Sequence, residues 1–271
     1  MAALAVADWR MAVLALLGAA SSTAASRLLG SGLPELRSGD QGFCGALVGA
    51  AAFSVLAAEP LAYLVAVAGG AVCAPLTASV RWLFRLPALR PLCLPSTTAP
   101  FCMVAVTMSW LTAGAHAAAG LPNPQGPAEW QFLRSLLTNI SEVVFLNSAP
   151  AGVLILAALF LARRRLAAAA LLGSAVASVF ALAVGAGSGE LGSGLLGYSA
   201  VLTSMALAVV FLHGRWTPWL LALAGSLLAA AVTALMNLLP GPVFTWPYVV
   251  STWLMLVAVH LVPQLRVLRI R

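Results

Sequence analysis

Gly42-Phe43-Cys44-Gly45-Ala46-Leu47, followed by Thr98-Ala99-Pro100-Phe101, recurs in the same order as Gly197-Tyr198-Ser199-Ala200-Val201-Leu202 and Thr245-Trp246-Pro247-Tyr248. Each copy interrupts an otherwise apolar run, first with glycine and then with proline. Duplicated helix-breaking motifs within membrane-spanning sequence point to a pathway built from two structural repeats. The candidate site is therefore sought at these two pairs.

The surrounding sequence requires a membrane as solvent. Mean hydropathy is +1.02, and charged residues make up 8% of 271, against about 25% in soluble domains. A span needs about 20 apolar residues. Such segments are expected near 11–29, 61–83, 98–116, 142–162, 166–187, 217–238 and 245–264, making this an all-α polytopic membrane protein. Two shorter stretches, 42–58 and 195–212, open with Gly-rich turns and are read as re-entrant half-helices, one per repeat. Non-helical backbone at that depth needs protein or a water-filled cavity to satisfy it.

All 14 basic residues are arginine. If each short stretch is followed by a segment that completes a crossing, Arg27, Arg37, Arg81, Arg85, Arg90, Arg163, Arg164, Arg165, Arg215, Arg266, Arg269 and Arg271 fall on one side. Only Arg10 and Arg134 fall on the other. The positive-inside rule makes the richer side cytoplasmic, with the C-terminus there. The two repeats are then inverted around a central pore. Their expected bounds are 1–117 and 142–271, joined by an outer connecting segment, 118–141, whose second part is amphipathic with Trp130 as an interfacial anchor. Asn139-Ile140-Ser141 in that connector matches a glycosylation acceptor.

Several functions are disfavoured. No basic run is interleaved with stacking aromatics, so no nucleic-acid partner is expected. Cys44, Cys73, Cys93 and Cys102 show no paired spacing and are read as buried, inert thiols. His116, His213 and His260 share no spacing and are read as interfacial. No cofactor or metal is expected. The spans carry almost no ionisable residues, which argues against proton- or sodium-coupled transport. No nucleophile, base and oxyanion donor cluster at matching depth, so the protein is not expected to be an enzyme. No basic n-region precedes the first apolar stretch, so a cleaved signal is not expected.

One further stretch is present only in the second half: Ser141-Glu142-Val143-Val144-Phe145-Leu146-Asn147-Ser148-Ala149-Pro150-Ala151-Gly152. With the paired Gly-aromatic and Thr-x-Pro-aromatic blocks, the chain here resembles the urea transporter family over almost its whole length. Cys44, Ser199 and Ser148 stand where the family has Asn, and Pro150 stands one position later than the family's Pro. The first-half counterpart of Phe145 would fall upstream of Met1, so repeat 1 is expected to lack its first helix.

The resemblance implies a passive, channel-like facilitator of urea or related small amides, working in the bilayer of the cell membrane as a homotrimer with one pore per subunit. It implies that Phe43 and Leu47, with Tyr198 and Leu202, wall a flat slot. Thr98 and Thr245 would be hydroxyl acceptors, with Glu142, Val143 and Phe145 beside them. Urea is flat and neutral, with four N–H donors and one acceptor, which suits rings and oxygen acceptors. Taken singly, such aromatics are more often packing residues. A Thr before x-Pro can simply satisfy backbone that the proline frees, and Glu142 can serve a helix N-terminus. A non-conducting scaffold is the alternative that the incomplete first repeat suggests.

Overall fold

A computed structural model describes residues 1–32, 39–113, 126–262 and 269–270. Arg37, His116, Arg266 and Arg271, which figure in the sequence reading, lie outside the described residues. The chain divides into two compact units, Met1–Arg90 with Pro95–Gly120, and Pro91–Leu94 with Leu121–Arg271.

The first unit holds α1 (Ala2–Ala7), α2 (Trp9–Leu28), α3 (Asp40–Leu56), α4 (Pro60–Phe84) and α5 (Ala99–Leu111). The Asp8 carboxylate caps α2 by accepting from the Arg10 amide at 2.8 Å. Gly39, at φ +79°, turns the chain into α3 in a left-handed conformation that suits glycine. Proline opens α4 and α5, where its missing N–H is harmless.

The second unit holds α6 (Ala128–Ser141), a 3-10 turn (Glu142–Val144), α7 (Ala149–Ala162), α8 (Arg164–Ala183), α9 (Ser188–Ser193) and α10 (Tyr198–Met205). The chain continues as a π-helical stretch, Ala206–Phe211, and then α11 (Thr217–Met236) and α12 (Trp246–Leu261). The described strands are a two-residue antiparallel pair, β1 (Leu212–His213) with β2 (Arg269–Ile270).

Four helices, α2, α4, α8 and α11, are long and apolar enough to cross a membrane. Their surfaces follow membrane logic, in which small residues let helices approach and large apolar ones face outward. Ala15, Ala66, Ala170 and Ala229 are buried, with Ser22, Ser174 and Ser226, while Leu16, Leu64, Val179, Leu182 and Leu220 are exposed.

Three expected spans come out shorter. Residues 98–116 yield the 13-residue α5 and 245–264 the 16-residue α12, each capped by the Thr of its Thr-x-Pro motif with the Pro in its first turn. The 142–162 segment yields the 14-residue α7, because the chain breaks at Phe145, whose φ is +63°. Together Ala128–Val144 and Ala149–Ala162 have the apolar length of a span but are bent by 75°, the form of a broken span or a re-entrant loop. A bent span was not foreseen there.

The connector helix α6 is packed into the second unit against α7, α8 and α9. Its buried face is polar, with Gln131, Ser135, Thr138, Asn139 and Ser141, while Trp130 and Leu133 are exposed. Asn139 donates to the Ser174 and Ser178 hydroxyls at 3.1 and 3.0 Å and occupies the space that a Cβ on Gly197 would need. The glycosylation triplet is therefore a packing device, its asparagine closed off inside the fold.

The duplication seen in sequence extends to packing. Gly173, Gly194, Gly197 and Gly225 stand 155 residues (173 less 18) after Gly18, Gly39, Gly42 and Gly70. In the first unit α2, α3 and α4 pack on one another, and in the second α8, α10 and α11 do the same. A Cβ at Gly18 would strike the Gly45 carbonyl, and one at Gly173 would strike the carbonyl of Ala200, the residue 155 after Gly45. The same backbone crossing recurs in each unit.

Candidate functional site

The Gly-aromatic turn has one geometry in both units. Gly39 and Gly194 have φ of +79° and +83°. Their carbonyls accept from the amides of Gly42 and Phe43 at 3.1 and 3.2 Å, and from those of Gly197 and Tyr198 at 3.2 and 3.3 Å. Phe43 and Tyr198 are thus launched from equivalent first turns. Their surroundings differ, since Phe43 is 46% exposed and Tyr198 only 7%. Leu47 and Leu202, one turn on, are both buried.

The Thr-x-Pro turn repeats as closely. Thr98 (φ −96°, ψ 14°) and Thr245 (φ −89°, ψ 17°) occupy the N-cap positions of α5 and α12, each 1% exposed. The preceding residues, Thr97 and Phe244, adopt left-handed backbone at φ +49° and +43°. Such a conformation costs about 1–3 kcal/mol in a non-glycine residue and persists only where neighbours impose it. In each unit a side chain of the Gly-aromatic helix reaches the carbonyl of that residue. The Cys44 thiol donates to the Thr97 carbonyl at 3.7 Å, and the Tyr198 hydroxyl donates to the Phe244 carbonyl.

In the second unit the rings converge. Phe145 and Phe244 meet edge to face, with centroids 6.3 Å apart and planes at 72°, an arrangement favoured by the ring quadrupoles. Phe145 is held in its left-handed conformation by the turn that ends the 3-10 segment, where its amide donates to the Glu142 carbonyl at 2.9 Å. The Ser141 hydroxyl bridges the same break to the Leu146 carbonyl at 2.5 Å. Val143 packs against Ile140, Ala170 and Val201, the last beside Leu202. Glu142 is 4% exposed, and its Oε2 has no hydrogen-bond partner. Phe145, Tyr198 and Thr245 are therefore assembled around Phe244, while Phe43, Leu47 and Thr98 belong to the other unit.

Sequence reading missed Phe244 and Thr97. Each lies immediately before the conserved-in-copy Thr of its own half, so the position was marked, but the two side chains differ and nothing in either announces a left-handed backbone. The expectation of uniformly buried thiols also needs correction. Cys44, Cys73 and Cys102 are buried, whereas Cys93 is exposed on a loop with φ +48°, outside any helix. Among the described residues no three His, Cys, Asp or Glu side chains are grouped as metal ligands. The residues brought together are flat rings, buried hydroxyls and one buried carboxylate.

The sequence profile of the urea transporter family matches residues 1–260. The chain belongs to the urea transporter family. Urea transporter 1 of Rattus norvegicus is 30% identical over 128 residues, which is 45% of this chain and 33% of the rat protein. The mouse and sheep proteins of the same name are 28% identical over the same share. This alignment thus spans a third of the length of those curated relatives. Membership of this family is in keeping with the chain's helical, apolar membrane architecture.

Proposed function

We propose that this protein passes urea, or a closely related small amide, passively across the cell membrane through a narrow slot walled by aromatic rings and lined by oxygen acceptors. The observation that carries the reading is the repeated station of a strained residue, a buried N-cap threonine and a Gly-aromatic helix, present once in each unit at Thr97-Thr98 and Phe244-Thr245. Family membership and the name of the mammalian relatives supply the substrate. A flat, uncharged diamide can exchange its hydration for threonine and backbone oxygens one station at a time, with ring faces excluding hydrated ions.

In this reading Phe43 and Leu47, with Tyr198, Leu202 and Phe145, are walls. Thr98 and Thr245 are acceptors, and Glu142 and Val143 lie beside the second station. Inverted repeats, a homotrimer and a cytoplasmic C-terminus belong to the same proposal. Proteoliposomes under an osmotic urea gradient test it by stopped-flow light scattering. Wild-type vesicles should take up urea well above the lipid background, and Thr245→Val and Phe43→Ala should each reduce that flux. Background flux in correctly folded wild type would leave the scaffold reading in its place.

A further inference from the structure

Between α6 and α7 the chain folds back beside α6, and contacts at successive levels hold it there. Ser141 engages both polar groups of Leu146, its carbonyl accepting from the Leu146 amide at 3.2 Å and its hydroxyl donating to the Leu146 carbonyl at 2.5 Å. Further along, a Cβ at Gly152 would strike the Leu137 carbonyl, so α7 crosses α6 backbone against backbone. Between these two contacts a side-chain pair closes the turn, Arg134 Nη2 donating to Asn147 Oδ1 at 2.9 Å. We propose that Arg134 is a positioning residue, which through Asn147 clasps the turn carrying Phe145 and so sets the gap between the Phe145 and Phe244 rings.

The sequence separation of the pair shows what the bond requires. Arg134 and Asn147 are 13 residues apart, which in an unbroken helix would set their backbones about 20 Å from each other. No arginine side chain spans that gap. The bond exists only while the chain is folded back, and losing it releases one hold on the turn. It is also a strong hold, because its donor is charged. A guanidinium can only donate, so the amide oxygen of Asn147 has to face it.

Phe145 lies inside the clasped segment, two residues before Asn147. Its left-handed backbone, at φ +63°, persists only where neighbours impose it. On the near side its amide is tied to the Glu142 carbonyl, and on the far side the chain is tied to Arg134 through Asn147. The facing ring is fixed separately, since the Phe244 carbonyl accepts from the Tyr198 hydroxyl. One ring is therefore steadied by a tyrosine and the other by an arginine. This gives a use to Arg134, one of two arginines expected on the outer side. What the ring gap admits rests on the slot reading proposed above, whereas the clasp does not.

Two readouts on the full-length protein keep clasp and slot apart. Hydrogen exchange in nanodiscs, followed by mass spectrometry over residues 142–146, reports the turn. Arg134→Gln and Asn147→Ala should each speed exchange there about tenfold, and the double variant no further, because either change alone removes the bond. Stopped-flow flux in proteoliposomes reports the rings. The ratio of N-methylurea to urea flux should rise about threefold in both variants as the gap loosens, and Arg134→Lys, which keeps a cationic donor, should bring it back toward wild type. Arg10→Gln, at the other outer arginine, should change neither readout.

Unchanged exchange in both single variants overturns the clasp whatever the flux, and so does a double variant whose effects add. Faster exchange with an unchanged flux ratio, in a wild type that conducts urea, overturns the positioning role. Wild-type flux at the lipid background would sink the slot reading and the ring-gap step with it, while exchange still decides the clasp.

Discussion

The two units solve the same packing problem with different materials. In the first, α3 is one continuous 17-residue helix that lies against α2 through Gly18, Gly45 and Gly49, backbone on backbone. In the second, the corresponding stretch is α-helical only for Tyr198–Met205 and then widens into a π-helix, and Ala200 and Ser204 replace Gly45 and Gly49. The first unit brings backbones into direct contact there. The second carries side chains at that crossing, keeps buried hydroxyls on Ser199 and Ser204 without partners, and sets Phe145 edge to face with Phe244, whose carbonyl accepts from the Tyr198 hydroxyl. π-Helical stretches are frequent at functional sites. The difference teaches that one inherited frame became a tight support in one half and a more polar, aromatic station in the other.

The sharpest way to break this comparison is to add one methyl group at each crossing. Gly18→Ala and Gly173→Ala should each cost about 3 kcal/mol by overpacking, because either Cβ would meet a helix carbonyl. Fluorescence-detected gel filtration after heating should show both losing their monodisperse peak well below wild type. A tolerated Gly173→Ala beside a ruined Gly18→Ala would show that the second unit is the looser of the two.

Next in size is the acceptor pair. Thr98→Val and Thr245→Val keep shape and remove a buried hydroxyl, so urea flux in proteoliposomes should fall about tenfold in each. Unequal losses would rank the two stations. An unchanged flux in both would remove threonine from the mechanism.

A smaller effect is expected where the strained carbonyls are held. Tyr198→Phe deletes the donor to the Phe244 carbonyl and should cost about 1–2 kcal/mol. Cys44→Ala deletes only a weak thiol donor at 3.7 Å to Thr97 and should cost less. Thermal unfolding of the two variants side by side measures the ordering. The smallest change belongs to Ser199→Ala, whose hydroxyl has no partner to lose. Its stability should stay within about 0.5 kcal/mol of wild type, and a larger loss would reveal an ordered water at that hydroxyl.

Much of the frame was legible in the sequence, and for identifiable reasons. Long apolar runs bounded by Pro and Gly located α2, α4, α8 and α11, because in a membrane the span length is set by the bilayer. The Gly-rich turn ahead of each Gly-aromatic block was legible too, and its Gly39 or Gly194 takes the left-handed backbone that few other residues adopt readily. The break at Phe145 was not legible, nor were the left-handed Thr97 and Phe244, because these side chains carry no local preference for φ above zero. The role of Asn139 was hidden for another reason. Its partners Ser174 and Ser178 lie one helix away, and Gly197 further still.

The amino-acid sequence by itself determined that this is an all-helical membrane protein with a duplicated set of helix breakers, because hydropathy and helix-breaking residues act locally along the chain. Only the tertiary structure decided that Phe145 and Tyr198 meet at Phe244 and that a polar face of α6 is buried. Those outcomes depend on contacts between segments far apart in sequence. Their energies come from whichever backbones happen to meet, and no single segment encodes its partner's position.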